Sequence, residues 1–276
     1  MPKSVLVDIR KCIACRACQV ACKRWNDREA ENTTLNATPG LEWTNPSDLS
    51  SQTYTYIRFV GRGKGDSFKW HFIKIQCNHC LEPGCASVCP TKALYKTEEG
   101  PVLYDKEKCI GCKYCVSGCP FDVPRFDEER RIIEKCTFCA DRLAEGFEPA
   151  CVAACPTDAL VMYEREEAVR LAEAAAAKGS FTYGTVEVGG TSWIYILDTP
   201  PADLGLRRHD SKNPTSFVTD MLLKVGAVGV VGAGLLYGLS VYTKRRSEVA
   251  KTMKERIETK DRSTGPSSGE KGGDGA

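Results

Sequence analysis

Charge of one sign is what this 276-residue chain lacks most plainly: 38 Lys and Arg stand against 36 Asp and Glu, a formal net charge of +2. With no basic or acidic excess, composition carries no signal for nucleic acid or an acidic substrate as partner. The amino terminus, Met1 to Arg10, has no apolar h-region and no twin-arginine pair. Nothing there directs export, and on that ground alone the chain is expected in the cytoplasm. No G-x-G-x-x-G opens a helix; the glycine-rich Gly61-Arg62-Gly63-Lys64-Gly65 has a different spacing and no helical pattern behind it. No nucleotide, flavin or nicotinamide site is therefore expected. No catalytic triad or substrate-pocket pattern is evident either. One long apolar run lies near the carboxy terminus, and it contains no histidine. By itself it cannot supply paired imidazoles to a membrane haem.

What is abundant is cysteine, sixteen residues in four groups of four. The most specific group is Cys109-Ile-Gly-Cys112-Lys-Tyr-Cys115-Val-Ser-Gly-Cys119-Pro120, the C-x-x-C-x-x-C-x-x-x-C-P run of bacterial ferredoxins. In that run three close thiolates grip three corners of one [4Fe–4S] cube, and the fourth reaches a second cube. The other groups are Cys12, Cys15, Cys18, Cys22; Cys77, Cys80, Cys85, Cys89 before Pro90; and Cys136, Cys139, Cys151, Cys155 before Pro156. Disulfide scaffolds belong to much shorter secreted chains without such tight clusters. Tetrahedral zinc takes two separated pairs, whereas three cysteines at successive short gaps and a fourth before proline suit cubane ligation. Proline after three of the fourth cysteines fixes φ and removes a donor, turning the chain away; Cys22 is followed instead by Lys23.

The groups repeat in pairs. Val7-Asp-Ile-Arg-Lys-Cys12-Ile-Ala-Cys15 matches Tyr104-Asp-Lys-Glu-Lys-Cys109-Ile-Gly-Cys112, and Cys89-Pro-Thr-Lys-Ala-Leu94 matches Cys155-Pro-Thr-Asp-Ala-Leu160. A duplicated two-cluster ferredoxin-like module of α+β class follows, with four [4Fe–4S] clusters in all. The short link from Cys89 to Cys109 makes the second and third groups the local pair and leaves the first and fourth to pair at long range. Since each fourth thiolate serves the partner cube, four ligand sets are predicted: Cys12, Cys15, Cys18 with Cys155; Cys136, Cys139, Cys151 with Cys22; Cys77, Cys80, Cys85 with Cys119; and Cys109, Cys112, Cys115 with Cys89.

Residues 1–213 are expected to form the cluster domain, with an insertion at 23–76. Alternating apolar and polar residues in Tyr54–Val60 and Phe68–Ile75 predict an inserted β-hairpin. Glu164–Lys178 reads as a packing helix stopped by Gly179, and Thr185–Leu197 as strand on either side of Gly189-Gly190. Val225–Thr243 carries no charge and is followed by Lys244-Arg245-Arg246, which predicts one transmembrane helix in the lipid bilayer within 214–246. Its glycines, including Gly234 and Gly238, suit close approach of a partner helix. Residues 247–276 turn charged and then Gly/Ser-rich and are expected to be a disordered tail. Eight basic residues, Lys244 to Arg262, follow the span and four, Arg207, Arg208, Lys212 and Lys224, precede it. The positive-inside rule then puts the tail in the cytoplasm and the cluster domain in the periplasm.

Four clusters without a nucleotide or substrate site make an electron relay, graded by charge, burial and hydrogen bonds to sulfur. Gly84, Gly111 and Gly118 are candidate N–H donors to sulfur or are present for their backbone freedom, and His79 is expected on the surface beside its ligand loop. The run Cys12–Asp27, with Cys119–Arg125, Cys136–Arg142 and Glu148–Cys151, resembles the iron–sulfur subunit of membrane-bound respiratory formate dehydrogenases. That resemblance implies a catalytic subunit with a molybdopterin or tungstopterin as electron donor, a membrane cytochrome b subunit reducing quinone, and export on the catalytic subunit's twin-arginine signal. The same relay would also serve a hydrogenase or a dimethyl sulfoxide, nitrite or polysulfide reductase. From another class, a membrane-tethered redox sensor is disfavoured by four protected clusters and no output domain.

Overall fold

The computed structural model describes residues 2–33, 43–207, 234–249 and 251–252. It divides the chain into two units, Met1–Val218 and Thr219–Ala276. In the first, β1 (Lys3–Asp8) leads into the first cysteine group and α1 (Ala17–Trp25) carries its last two members. The insertion contributes β2 (Thr55–Arg62) and β3 (Lys69–Gln76), antiparallel from Thr55 opposite Gln76 to Arg62 opposite Lys69. The expected hairpin is present, each strand beginning one residue later than expected and ending later, and it closes through a single 3₁₀ turn at Gly65–Ser67. After the second cysteine group with α2 (Gly84–Ser87) come β4 (Leu94–Lys96) and β5 (Val102–Tyr104). The third group holds α3 (Tyr114–Ser117) and is followed by β6 (Arg125–Asp127) and β7 (Ile132–Glu134). The fourth holds α4 (Ala140–Ala144) and α5 (Ala150–Ala153), then β8 (Leu160–Glu164), α6 (Arg165–Ala176), β9 (Phe181–Tyr183) and β10 (Trp193–Leu197).

The duplication is visible in the pairing. β4, which leaves the second cysteine group, is antiparallel to β5, which enters the third; β8, which leaves the fourth, is antiparallel to β1, which enters the first. Asp105 N–H donates to the Ala93 carbonyl at 2.8 Å, and at the equivalent place Asp8 N–H donates to Ala159 at 2.9 Å. α2 packs on α3 and α1 on α5. One module is therefore built from the second and third groups and the other from the fourth and first.

The second module's sheet is extended to the order β8-β1-β10-β9, with β1 and β10 parallel. Its side chains alternate with period two. Val5, Val7, Trp193, Tyr195 and Leu197 enter the main core with Ile57, Val60 and Ile73 of the hairpin, while Leu6, Ile194 and Ile196 meet Ala168 and Ala172 of α6. Because β10 is covered on both faces, all five of its residues are buried.

Two expectations need correction here. Thr185–Val188 is not a strand. Gly189 and Gly190 both take positive φ, Val188 lies at φ 49°, and the buried Glu187 carboxylate accepts the Gly184 N–H at 2.6 Å, folding the segment back on itself. The strand that pairs with β10 is instead Phe181–Tyr183. In the second unit a helix covers 234–249, so residues 247–249 continue it where a tail was expected; Ser247 Oγ donates to the Lys244 carbonyl, and no Gly or Pro interrupts the run after Gly238. Among the described residues no helix is long and apolar enough to cross a membrane. Residues 214–233 of the expected membrane segment and 250 and 253–276 of the expected tail lie outside the described residues.

Candidate functional site

The sixteen cysteines gather into four quartets. One cavity is lined by Cys12, Cys15, Cys18 and Cys155, and a second by Cys22, Cys136, Cys139 and Cys151. Elsewhere, burial pushes the Cys80 thiol well up, helped by its neighbours Cys77, Cys119 and Cys85. Burial likewise raises Cys115 to about 12, with Cys109, Cys112 and Cys89 adding to it. Each quartet thus joins three thiols of one group to the fourth thiol of another.

Backbone conformation shapes the loops the same way each time. The residue before the second cysteine is left-handed in every group: Ala14 at φ 57°, His79 at 47°, Gly111 at 68° and Phe138 at 60°. Such conformations cost free energy outside glycine and persist where surrounding structure imposes them. Gly111 is needed there, since a Cβ would come within 2.5 Å of the Arg131 carbonyl oxygen. Gly118 is present for space instead: its N–H donates to Tyr114 O at 2.8 Å, and a Cβ would strike Val88. Three groups turn away after Cys-Pro through a left-handed residue, Lys92, Asp122 or Asp158. The first group lacks proline because α1 runs on through Cys22 to Trp25, and the Cys22 carbonyl accepts from Asn26 N–H and from Asn26 Nδ2.

The donor chemistry fits cubes. Each quartet offers four thiols, the donor set that [4Fe–4S] cubes take, one thiolate to the iron at each corner. Most of these thiols are buried, and burial followed by neighbouring thiols pushes Cys18 and Cys22 up to about 12 and Cys119 to about 11. Metal must displace those protons. Cys89 is lowered: burial acts to raise it, but hydrogen bonds from Leu94, Thr91 and Ala93 outweigh that.

The quartets also fall in sequence. Cys18 of the first cavity neighbours Cys151 of the second. Cys136 of the second neighbours Cys77 of the third quartet, and Cys85 there neighbours Cys115 of the fourth. At the two ends Cys15 and Cys112 are exposed, beside Ile13 at 61% and Ile110 at 68% exposure.

Several residues around the quartets were not anticipated. His79 is fully buried, not on the surface. Its Nδ1 accepts the Val102 N–H at 2.9 Å, and burial, then Lys135, Lys96 and Lys74, hold its pKa well below the usual value. It is a neutral packing group against Phe138. Lys74, in β3, and Lys135, just after β7, are 3% and 2% exposed. Glu134, 0% exposed, accepts from Tyr54 and Tyr104 and pairs with Arg28 at 3.3 Å, Arg130 at 3.2 Å and Lys106 at 3.4 Å. It ties the segment after α1 and the hairpin to the entries of the third and fourth groups. Burial acts to raise the Glu134 pKa, but the tyrosine hydroxyls and then Arg28 and Lys106 hold it below the usual value. A depressed carboxyl stabilises the fold above its unfolded pKa, so this contribution is lost only as pH falls below ~4.3. Glu134→Gln keeps the shape and removes the charge; we expect a loss of about 2 kcal/mol, read as a fall of ~4–8 °C in apparent Tm with iron retained.

Two interleaved modules, each with two cysteine quartets, define a ferredoxin-like protein of the 4Fe–4S dicluster class. Two models of a 4Fe–4S dicluster domain match residues 11–93 and 68–165, and with sixteen cysteines they give four [4Fe–4S] clusters. The iron–sulfur subunit of the nitrate-inducible formate dehydrogenase of Escherichia coli (strain K12) is 38% identical over 247 residues, 84% of this chain and 82% of that one. The formate dehydrogenase-O iron–sulfur subunit of the same organism is 35% identical over 266 residues, 91% and 87%. The thiosulfate reductase electron transfer subunit of Salmonella typhi is 41% identical over 157 residues, 56% and 72%. The chain belongs to the family of formate dehydrogenase iron–sulfur subunits.

Proposed function

We propose that each quartet holds one [4Fe–4S] cube, in the four predicted ligand sets, and that the chain carries electrons from a formate-oxidising catalytic partner to a membrane cytochrome b. The cubes, when bound, supply reversible one-electron chemistry. The observation that carries this reading is the exchange of fourth cysteines between groups, which sets four quartets in one sequence with a thiol exposed at either end. The rest of the polypeptide holds those sites apart from water and grades their surroundings. The buried Glu134 carboxylate with its tyrosine partners, a lysine lining two of the cavities, and a buried histidine packed on Phe138 give the sites different surroundings.

Substrate chemistry then belongs to the partner. Purified anaerobically with its clusters, the isolated chain is expected to take electrons from a strong reductant and to show no formate-dependent dye reduction. Formate oxidation by the isolated chain would sink this division of labour. We propose membrane attachment through residues within 214–246, with the cluster domain in the periplasm and the basic residues after Thr243 in the cytoplasm. The excess of Lys and Arg after Thr243 supports that orientation.

A further inference from the structure

Lys74 lines both the cavity of Cys12, Cys15, Cys18 and Cys155 and that of Cys22, Cys136, Cys139 and Cys151. It is 3% exposed, and Nζ donates to two neutral acceptors, Thr55 Oγ1 at 2.9 Å and Gln76 Oε1 at 3.1 Å. The ammonium stands 4.3 Å from the centre of the Trp193 ring. Among the described residues it forms no ion pair with a carboxylate.

An ammonium withdrawn from water needs a counter-charge close by. Here that charge comes with the clusters: Cys12, Cys15, Cys18 and Cys155 in one cavity and Cys22, Cys136, Cys139 and Cys151 in the other are thiolates once metal is bound, and Lys74 lines both cavities. Gln76 is itself fixed, donating through Nε2 to the Tyr195 hydroxyl at 2.7 Å, and that hydroxyl donates to the Lys74 carbonyl at 2.9 Å. The ammonium is therefore held in place by strand, ring and two side-chain acceptors.

We propose that Lys74 is a fixed counter-charge shared by the end site and its neighbour, a positioning residue that raises the reduction potential of both. A cube bound by four thiolates is anionic and gains one more negative charge on reduction, so a nearby buried cation favours the reduced form; net charge is among the properties that set these potentials. One cation placed between two sites moves both in the same direction. The electron step between them is thereby kept from becoming steeply uphill in either sense.

The inference rests on the cluster assignment above, so iron is counted first. Wild-type full-length chain holding fewer than four clusters would defeat that assignment, and the role of Lys74 with it. With four clusters present, EPR-monitored potentiometric titration compares wild type, Lys74→Met and Lys74→Arg. Lys74→Met is expected to lower two of the four potentials, each by at least a tenfold change in the one-electron equilibrium, 59 mV, with the other two unmoved. Lys74→Arg should restore them. Unchanged potentials in fully loaded Lys74→Met, or an equal shift of all four, overturns the proposal. If Lys74→Met does not load, Lys74→Gln keeps a hydrogen-bonding group and is read in the same way. If neither neutral variant loads the two sites, loading by Lys74→Arg supports a required charge, and failure of Lys74→Arg as well overturns it in favour of packing.

Discussion

Cys85→Ala, in the third quartet, is expected to abolish electron delivery through the chain while sparing the catalytic partner. Cys85 is buried beside Cys77 and Cys119 and also neighbours Cys115 of the fourth quartet, so its site lies inside the sequence of four and not at an end. A relay in series has no bypass around an interior site. Loss of groups that merely orient ligands costs roughly 10–100-fold, and loss of a ligand itself is expected to cost about 100-fold or more in formate-dependent quinone reduction by the assembled complex. Dye-linked formate oxidation, which takes electrons at the catalytic partner, should stay near wild type. Iron should fall from about sixteen per chain, four in each of four cubes, toward twelve. Quinone reduction at wild-type rate with the third site empty would show that electrons leave the chain before reaching it.

The chemistry was legible because its ligands are a rare residue type at fixed spacing. Spacing alone separated cubes from zinc and disulfides, and repeated flanks such as Cys89-Pro-Thr-Lys-Ala and Cys155-Pro-Thr-Asp-Ala exposed the duplication. The hairpin was legible from its alternation and α6 from its Ala- and Glu-rich run stopped by Gly179, and each has one face against the core. What stayed hidden depends on contacts between distant segments. His79 reads as an exposed polar residue in a loop, yet the chain from Lys135, Lys96 and Val102 closes over it. Lys74 sits in a strand that alternates, and only the packing of both quartets against that strand makes its outward position an interior one. Thr185–Val188 has the residues of a strand and lacks a partner, because Glu187 turns its carboxylate onto Gly184. The recurring left-handed residue before each second cysteine would have been visible only at Gly111; Ala14, His79 and Phe138 give no hint of it.

Deleting the chain from Met221 onward is expected to release the assembled complex from the membrane and abolish quinone reduction, with clusters and dye-linked formate oxidation retained. The sixteen cysteines all precede that point, and among the described residues the sheet, hairpin and modules that hold them end at Leu206, so the deletion removes no ligand and none of the described core residues. What it removes is the charge-free stretch Val225–Thr243 and the basic residues that follow it from Lys244, including the helix over 234–249. Gly234 and Gly238 on that helix have open space where a Cβ would stand, room for a partner helix to approach closely. Attachment and docking would then be lost together, and electrons reaching the last site would have no acceptor. Protease added to intact spheroplasts reads the orientation: the cluster domain should be digested and an epitope after Arg262 spared. Unimpaired quinone reduction by the truncated complex would remove the second unit from electron transfer, and a protected cluster domain would reverse the proposed orientation while leaving the relay in place.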